Sequence, residues 1–128
     1  MKLLLDTHLL IWSASTPQRL SSKAKKLIED DANALYFSAA SICEVTIKAG
    51  LGREDFNVNP TTLRQGLLEN DYQECPITGQ HALALSSLPD LHRDPFDRML
   101  IAQALVEGFC LFTRDAAISA YPGNIIAV

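Results

Sequence analysis

The first twelve residues, "MKLLLDTHLLIW" (1–12), hold a short apolar run without alternation, Lys2 to Leu5, closed by an acid, Asp6. A strand with one wet face would alternate apolar and polar residues, whereas a continuous run this short suits a strand covered on both faces, as in a parallel sheet. Similar runs recur as "ALYF" (34–37), "FCLF" (109–112) and "NIIAV" (124–128), with a weaker one at "YQECPI" (72–77).

Helical stretches lie between the runs, and their starts carry capping signals. Ser21 or Ser22 caps a helix over Lys23 to Asp30, Ser38 or Ser41 one up to Gly50, and Asn59 before Pro60 opens one over Thr61 to Glu69. Thr78 caps a helix to about Leu88, and Asp94 with Pro95 opens the strongly apolar stretch through "MLIAQAL". Strands alternating with helices predict an α/β fold, a three-layer α/β/α sandwich around a central parallel sheet. No repeat or linker interrupts it, so residues 1–128 form one domain, with "LGREDFNVNP" (51–60) as a surface loop.

Bulk properties agree. A chain of 128 residues, 48% hydrophobic and 20% charged, is large enough for one globular core. No run approaches the roughly 18 apolar residues of a membrane span, and Asp6 breaks the apolar start, so a soluble, unsecreted protein is expected. Cys43, Cys75 and Cys110 are odd in number, far apart and set among apolar neighbours, which predicts core residues in a reducing compartment rather than disulfides or a metal site. His8, His81 and His92 show no zinc spacing and are expected at the surface or in caps, with His8 on the rim of any cleft near Asp6. The net charge of -4 argues against a broad basic face. Arg19, Lys23, Lys25 and Lys26 fit one solvated helix side, or an extension of a nucleic-acid track.

The acids carry the chemistry. Asp94 is explained as an N-cap before Pro95. Asp97, at the third helical position, also suits the helix dipole, but it shares a face with Ile101, Ala104 and Leu105 and is expected to point inward, where a carboxylate needs a partner. Asp6 follows the first strand, Asp115 follows "FCLF" in "TRDAA", and Glu44 lies early in the helix after "ALYF". Each alone could be a cap, Ser41 to Glu44 matching the S-x-x-E box. Together, in a parallel sheet, all four fall at the carboxyl edge, where open α/β sheets place ligands at the reversal of strand order. Carboxylates so gathered repel, and Mg²⁺ or Mn²⁺ removes the conflict, since hard cations suit oxygen-rich sites. Such ions also lower the pKa of bound water and can activate it for attack. Thr7 and Thr113 form a second tier that orients ligands, strand and cap propensity being the equal alternative. Arg93, Arg98 and Arg114 flank these acids and can contact phosphate groups, or be solvated or paired with spare acids.

The segments "LLLDTHLLIW", "SAASICEVTIKAGLG", "HRDPFDRMLIAQA" and "LFTRDAAISAYPGNII" resemble, in order and over nearly the whole chain, the motifs of PIN domains, and more narrowly those of VapC toxins of bacterial type II toxin–antitoxin pairs. The resemblance implies that Asp6, Glu44, Asp97 and Asp115 hold Mg²⁺ or Mn²⁺, Asp6 shared between ions, Glu44 and Asp97 completing the first shell and Asp115 serving a second ion or a water. It further implies a cytoplasmic metal-dependent endoribonuclease, dimeric and paired with a small antitoxin whose C-terminal segment covers the cleft. Two positions depart from the subgroup, Cys43 where a large aromatic is frequent and Ala116 where an acid is frequent; both bear on pocket shape and neither removes a ligand. A Mg²⁺-binding receiver domain would need paired acids after the first strand and a late lysine, but no lysine follows Lys48. A haloacid-dehalogenase-type phosphatase would need an acid where His8 stands. A catalytically silent PIN-like binding module keeps the same fold, and a metal titration with a nuclease assay separates it from the enzyme.

Overall fold

The computed structural model describes residues 1–52, 56–91 and 94–128, so His92, Arg93 and part of the loop expected at 51–60 lie outside the described residues. The chain alternates β1 (Lys2–Leu5), α1 (Thr7–Ser15), α2 (Ser22–Glu29), β2 (Ala34–Ser38), α3 (Ala39–Gly50), α4 (Pro60–Glu69), β3 (Gln73–Cys75), α5 (Gly79–Ala84), α6 (Pro95–Glu107), β4 (Cys110–Thr113) and β5 (Ile125–Ala127), with short 3₁₀ turns at Pro17–Arg19, Leu85–Ser87 and Ile118–Ala120. The five strands form one sheet in the order β3-β2-β1-β4-β5, every pair parallel. Strand order reverses between β1 and β4, which places a crevice at their carboxyl ends.

Burial follows from strand alternation with helices on both faces. Leu3 and Leu5 of β1, with Cys110 and Phe112 of β4, pack into a cluster with Leu9, Leu10, Val45, Leu63 and Leu67 from α1, α3 and α4. Leu4 and Leu111 point the other way, into a cluster with Leu100, Ile101 and Ala104 of α6. The three-layer α/β/α sandwich is therefore present, and the unbroken apolar runs of β1 and β4 have the physical cause assigned to them. "NIIAV" differs: β5 is an edge strand, its residues half-buried or exposed. The first three residues of β2 are likewise only half-buried.

Most caps lie where expected, with local corrections. Ser21 caps α2, Asn59 caps α4 with Pro60 as its first residue, and Asp94 caps α6, whose far end closes on Gly108 in the left-handed conformation at φ 73°. For α3 the cap is Ser38, not Ser41, because β2 hands over to the helix with no intervening loop; Glu44 thus falls in the second turn and no Ser41–Glu44 box forms. The helix from Thr78 stops at Ala84 and tightens into the 3₁₀ turn before Leu88. His81 is a cap but not a surface residue: it is 1% exposed, its Nδ1 accepts from the Thr78 amide at 3.0 Å, and Nε2 lies 3.2 Å from Glu107 Oε1. Among the described residues no helix is long and apolar enough to cross a membrane.

Cys75 and Cys110 are buried, whereas Cys43 is exposed on the outer side of α3 and is not a core residue. Burial, with the Glu107 charge adding to it, pushes the Cys75 thiol up to about 11, and burial raises that of Cys110 too. Iodoacetamide at mildly alkaline pH is expected to alkylate Cys43 in the native protein and the other two only after denaturation, as read by mass spectrometry of tryptic peptides. Rapid native labelling at Cys75 would contradict the packing.

Candidate active site

Asp6 occupies the residue between β1 and α1, at the point where strand order reverses. It is 4% exposed and every oxygen is engaged: Oδ1 accepts from the Leu9 amide at 2.9 Å as the N-cap of α1, while Oδ2 accepts from Thr113 Oγ1 at 2.6 Å and from the Arg114 amide at 3.1 Å. Asp6 N–H in turn donates to Phe112 C=O at 2.9 Å. Its cap role and its place in the cleft are thus the same geometry. Thr113, fully buried at the end of β4, also accepts from the Asp115 amide at 3.0 Å, so one hydroxyl fixes both the acid after β1 and the backbone of the acid after β4. Asp115 caps the turn that follows, accepting from Ala117 N–H at 2.9 Å.

On the other side of β1, α3 presents Glu44, also 4% exposed. Thr7 Oγ1 donates to Glu44 Oε1 at 2.8 Å and lies 2.9 Å from Ser41 Oγ, and Lys48 Nζ donates to Glu44 Oε2 at 2.7 Å. The lysine is one helical turn beyond its acid, the i,i+4 spacing that brings two side chains to one face. From α6, Asp94 Oδ1 accepts from the Phe96 and Asp97 amides at 2.9 and 3.3 Å. Asp97 is half-buried and lines the cleft, whereas Ile101 and Ala104 on the same helical face enter the core cluster, so the inward orientation expected of Asp97 is corrected to one toward the cleft.

These side chains line one cleft of about 380 Å³ that holds Asp6, Glu44, Asp94, Asp97 and Asp115, together with Lys48, Arg114 and the exposed His8 on its rim. Among the described lining residues five carboxylates face two permanent cations, a formal excess of three negative charges. Among the described residues no three acids, histidines or cysteines are yet gathered closely enough to clasp an ion. The donor set nevertheless fits a hard divalent cation, since the donors are carboxylate oxygens, two of the carboxylates are almost fully withdrawn from water, and the excess charge is of the sign an ion would offset. Asp6, Glu44, Asp97 and Asp115 are the side chains that could hold it.

Of the arginines, Arg114 lines the cleft, whereas Arg98 does not. The Arg98 guanidinium donates to the carbonyls of Pro89 and Leu85, at 2.9 and 3.3 Å, and to Tyr121 Oη at 3.2 Å, strapping the turn before α6 to the turn after β4. These contacts favour a structural role for Arg98 over the phosphate contact that was one of its two alternatives. Lys48 and Ser41 are site residues that sequence reasoning missed; the i,i+4 step from Glu44 was the available signal for the lysine.

The PIN-domain family profile matches residues 3–124. The chain belongs to the PIN-domain family. Within it this PIN domain is 34% identical, over 113 residues covering 88% of the chain and 85% of the relative, to Ribonuclease VapC22 of Mycobacterium tuberculosis. Its fold is shared by VapBC2 of Rickettsia felis, solved with a promoter DNA fragment, at a TM-score of 0.70 and 14% identity over 100% of this chain and 98% of that one. A toxin–antitoxin complex from Klebsiella pneumoniae matches at a TM-score of 0.64 and 18% identity, covering 98% and 96% of the two chains. The identity to VapC22 places this PIN domain in the VapC branch, and the solved complexes agree with it in fold.

Proposed function

We propose that this PIN domain is the toxin of a type II toxin–antitoxin pair, an endoribonuclease that hydrolyses RNA phosphodiester bonds with Mg²⁺ or Mn²⁺. The observation that carries the proposal is the meeting of Asp6, Glu44, Asp97 and Asp115, from four separate segments, around one cleft at the reversal of strand order. A divalent ion bound there supplies Lewis-acid activation of water and neutralises charge on the phosphate. The chain itself contributes orientation: Thr113 holds Asp6, Thr7 and Lys48 hold Glu44, and the Asp94 cap sets the turn from which Asp97 projects. Arg114, exposed at the mouth, meets the RNA backbone.

A small antitoxin and a second copy of the chain are the proposed protein partners. The exposed apolar residues Ile77, Leu83, Leu91 and Leu105 support self-association, and the unpaired thiols suit a cytoplasmic setting. The decisive experiment offers total cellular RNA to the chain purified free of any antitoxin, with Mg²⁺, Mn²⁺ or EDTA, beside an Asp6→Asn control. Cleavage is expected with either ion and not in EDTA. Metal-independent cleavage, or equal cleavage by the control, would overturn the proposal, and ion binding without cleavage would favour a silent binding module.

A further inference from the structure

Two guanidinium groups lie over one indole beside the acid-lined cleft. Arg114 Cζ is 4.9 Å and Arg19 Cζ 5.3 Å from the centroid of the Trp12 ring, although one comes from the turn after β4 and the other from the 3₁₀ turn after α1. Both arginines are exposed, while Trp12 is half-buried and packs against the core, so the ring is the fixed member of the group. Among the described residues neither guanidinium has a carboxylate or a carbonyl partner, even though Arg114 borders a cleft rich in carboxylates. Two like charges held near one ring repel, and the negative face of the indole offsets that repulsion. A guanidinium lying on an arene keeps its in-plane N–H fork open, which is the geometry that binds phosphate in two-point fashion.

The surroundings match. A second cavity of about 350 Å³, bordered by Trp12, Arg19, Lys48 and Phe56, shares Thr7, His8 and Lys48 with the acidic cleft. Among the described residues that line it there is no acid. The two cavities thus adjoin as an acidic half and a basic half of one track.

We propose that Trp12 holds Arg19 and Arg114 as a two-armed clamp for the RNA phosphates flanking the cleaved bond, on the α1 side of the cleft. The inference rests on the ribonuclease reading and deepens it. RNA is favoured over an acidic peptide because Arg114 lines the acid-rich half, which would repel a polyanionic peptide lacking a metal-bound phosphate, and also lies over Trp12 of the basic half, so a phosphodiester chain leaving the acidic half runs directly onto the clamp.

The test measures the affinity of the antitoxin-free chain for a fluorescent single-stranded oligoribonucleotide by anisotropy in EDTA, across a salt series, and then cleavage kinetics with Mg²⁺. Arg19→Ala and Arg114→Ala are each expected to raise Kd about fivefold at low salt and to reduce the salt slope by about 0.7, the value for one single-strand phosphate contact. Arg19→Lys keeps the slope but loses affinity, because charge remains and the fork does not. Trp12→Leu, with both arginines intact, weakens binding about threefold, as loss of a positioning ring should. In cleavage, Arg19→Ala raises KM and leaves kcat at saturating RNA, whereas a folding defect would lower kcat through the active fraction. If the wild-type chain cleaves RNA while Arg19→Ala keeps wild-type affinity and slope, the clamp is wrong and the nuclease reading stands. Should Arg19→Ala weaken capture of an oligoglutamate peptide but not of RNA, the clamp is again wrong. If the wild-type chain neither binds nor cleaves RNA, the nuclease reading falls and takes the clamp with it.

Discussion

Asp6→Asn is expected to lower RNA cleavage at least about a thousandfold, more than the ~10–100-fold that losing an outer partner of a metal ligand costs. The substitution removes a charge from the acid best placed to serve as a shared ligand, and it also sets two donors against each other. An asparagine can keep its carbonyl on the Leu9 amide, but its NH₂ then faces the Arg114 N–H and the Thr113 hydroxyl, both of which donate to Oδ2 in the native site. Thr113 can turn its proton away; the Arg114 amide cannot. One unsatisfied buried donor costs about 1–3 kcal/mol, and flipping the amide only moves the fault to the helix cap. The variant should therefore melt earlier as well as lose activity. Calorimetric Mn²⁺ titration beside thermal melting separates the two effects: a fully folded variant at low temperature that binds Mn²⁺ like wild type would contradict the role given to Asp6.

Thr113→Val is expected to cost about 10–100-fold in activity and in Mn²⁺ affinity although no carboxylate is touched. Valine matches threonine in shape, so the strand packing of β4 survives; what disappears is one hydroxyl that donates to Asp6 at 2.6 Å and accepts from the Asp115 amide at 3.0 Å. Both acids lose their register relative to each other, and the half-buried Asp115 amide loses its acceptor, worth about 1 kcal/mol of stability. Thr113→Ser retains the hydroxyl and should stay within a few-fold of wild type. Indistinguishable kinetics for valine and wild type would reduce Thr113 to a strand residue chosen for β propensity.

What the sequence made legible were features with local causes. Unbroken runs at β1 and β4 marked a sheet covered on both faces, and Leu4 against Leu3 and Leu5 shows those faces directly. Edge position is set by strand order, which no single run records, and so "NIIAV" carried the same signature as central strands. The four acids were identifiable because parallel topology fixes which ends of strands and helices share an edge. Their aim was less legible. The helical face of Asp97 can be read from spacing, but whether its first turn meets core or cleft depends on where α6 is placed in the tertiary fold. Ser41 and Glu44 fit a capping box, and the direct passage of β2 into α3 at Ser38 overrode it. The capture of Arg98 depends on carbonyls of Leu85 and Pro89, whose turn has no pattern of its own.

The hydrogen bond between Asp6 and Thr113 joins residues 107 positions apart. A nascent polypeptide therefore lacks the completed cleft until the segment through residue 115 has left the ribosome and β4 has slotted in beside β1. On the proposed nuclease reading, synthesis itself delays activity, and a truncated translation product that ends short of that strand is expected to be inactive.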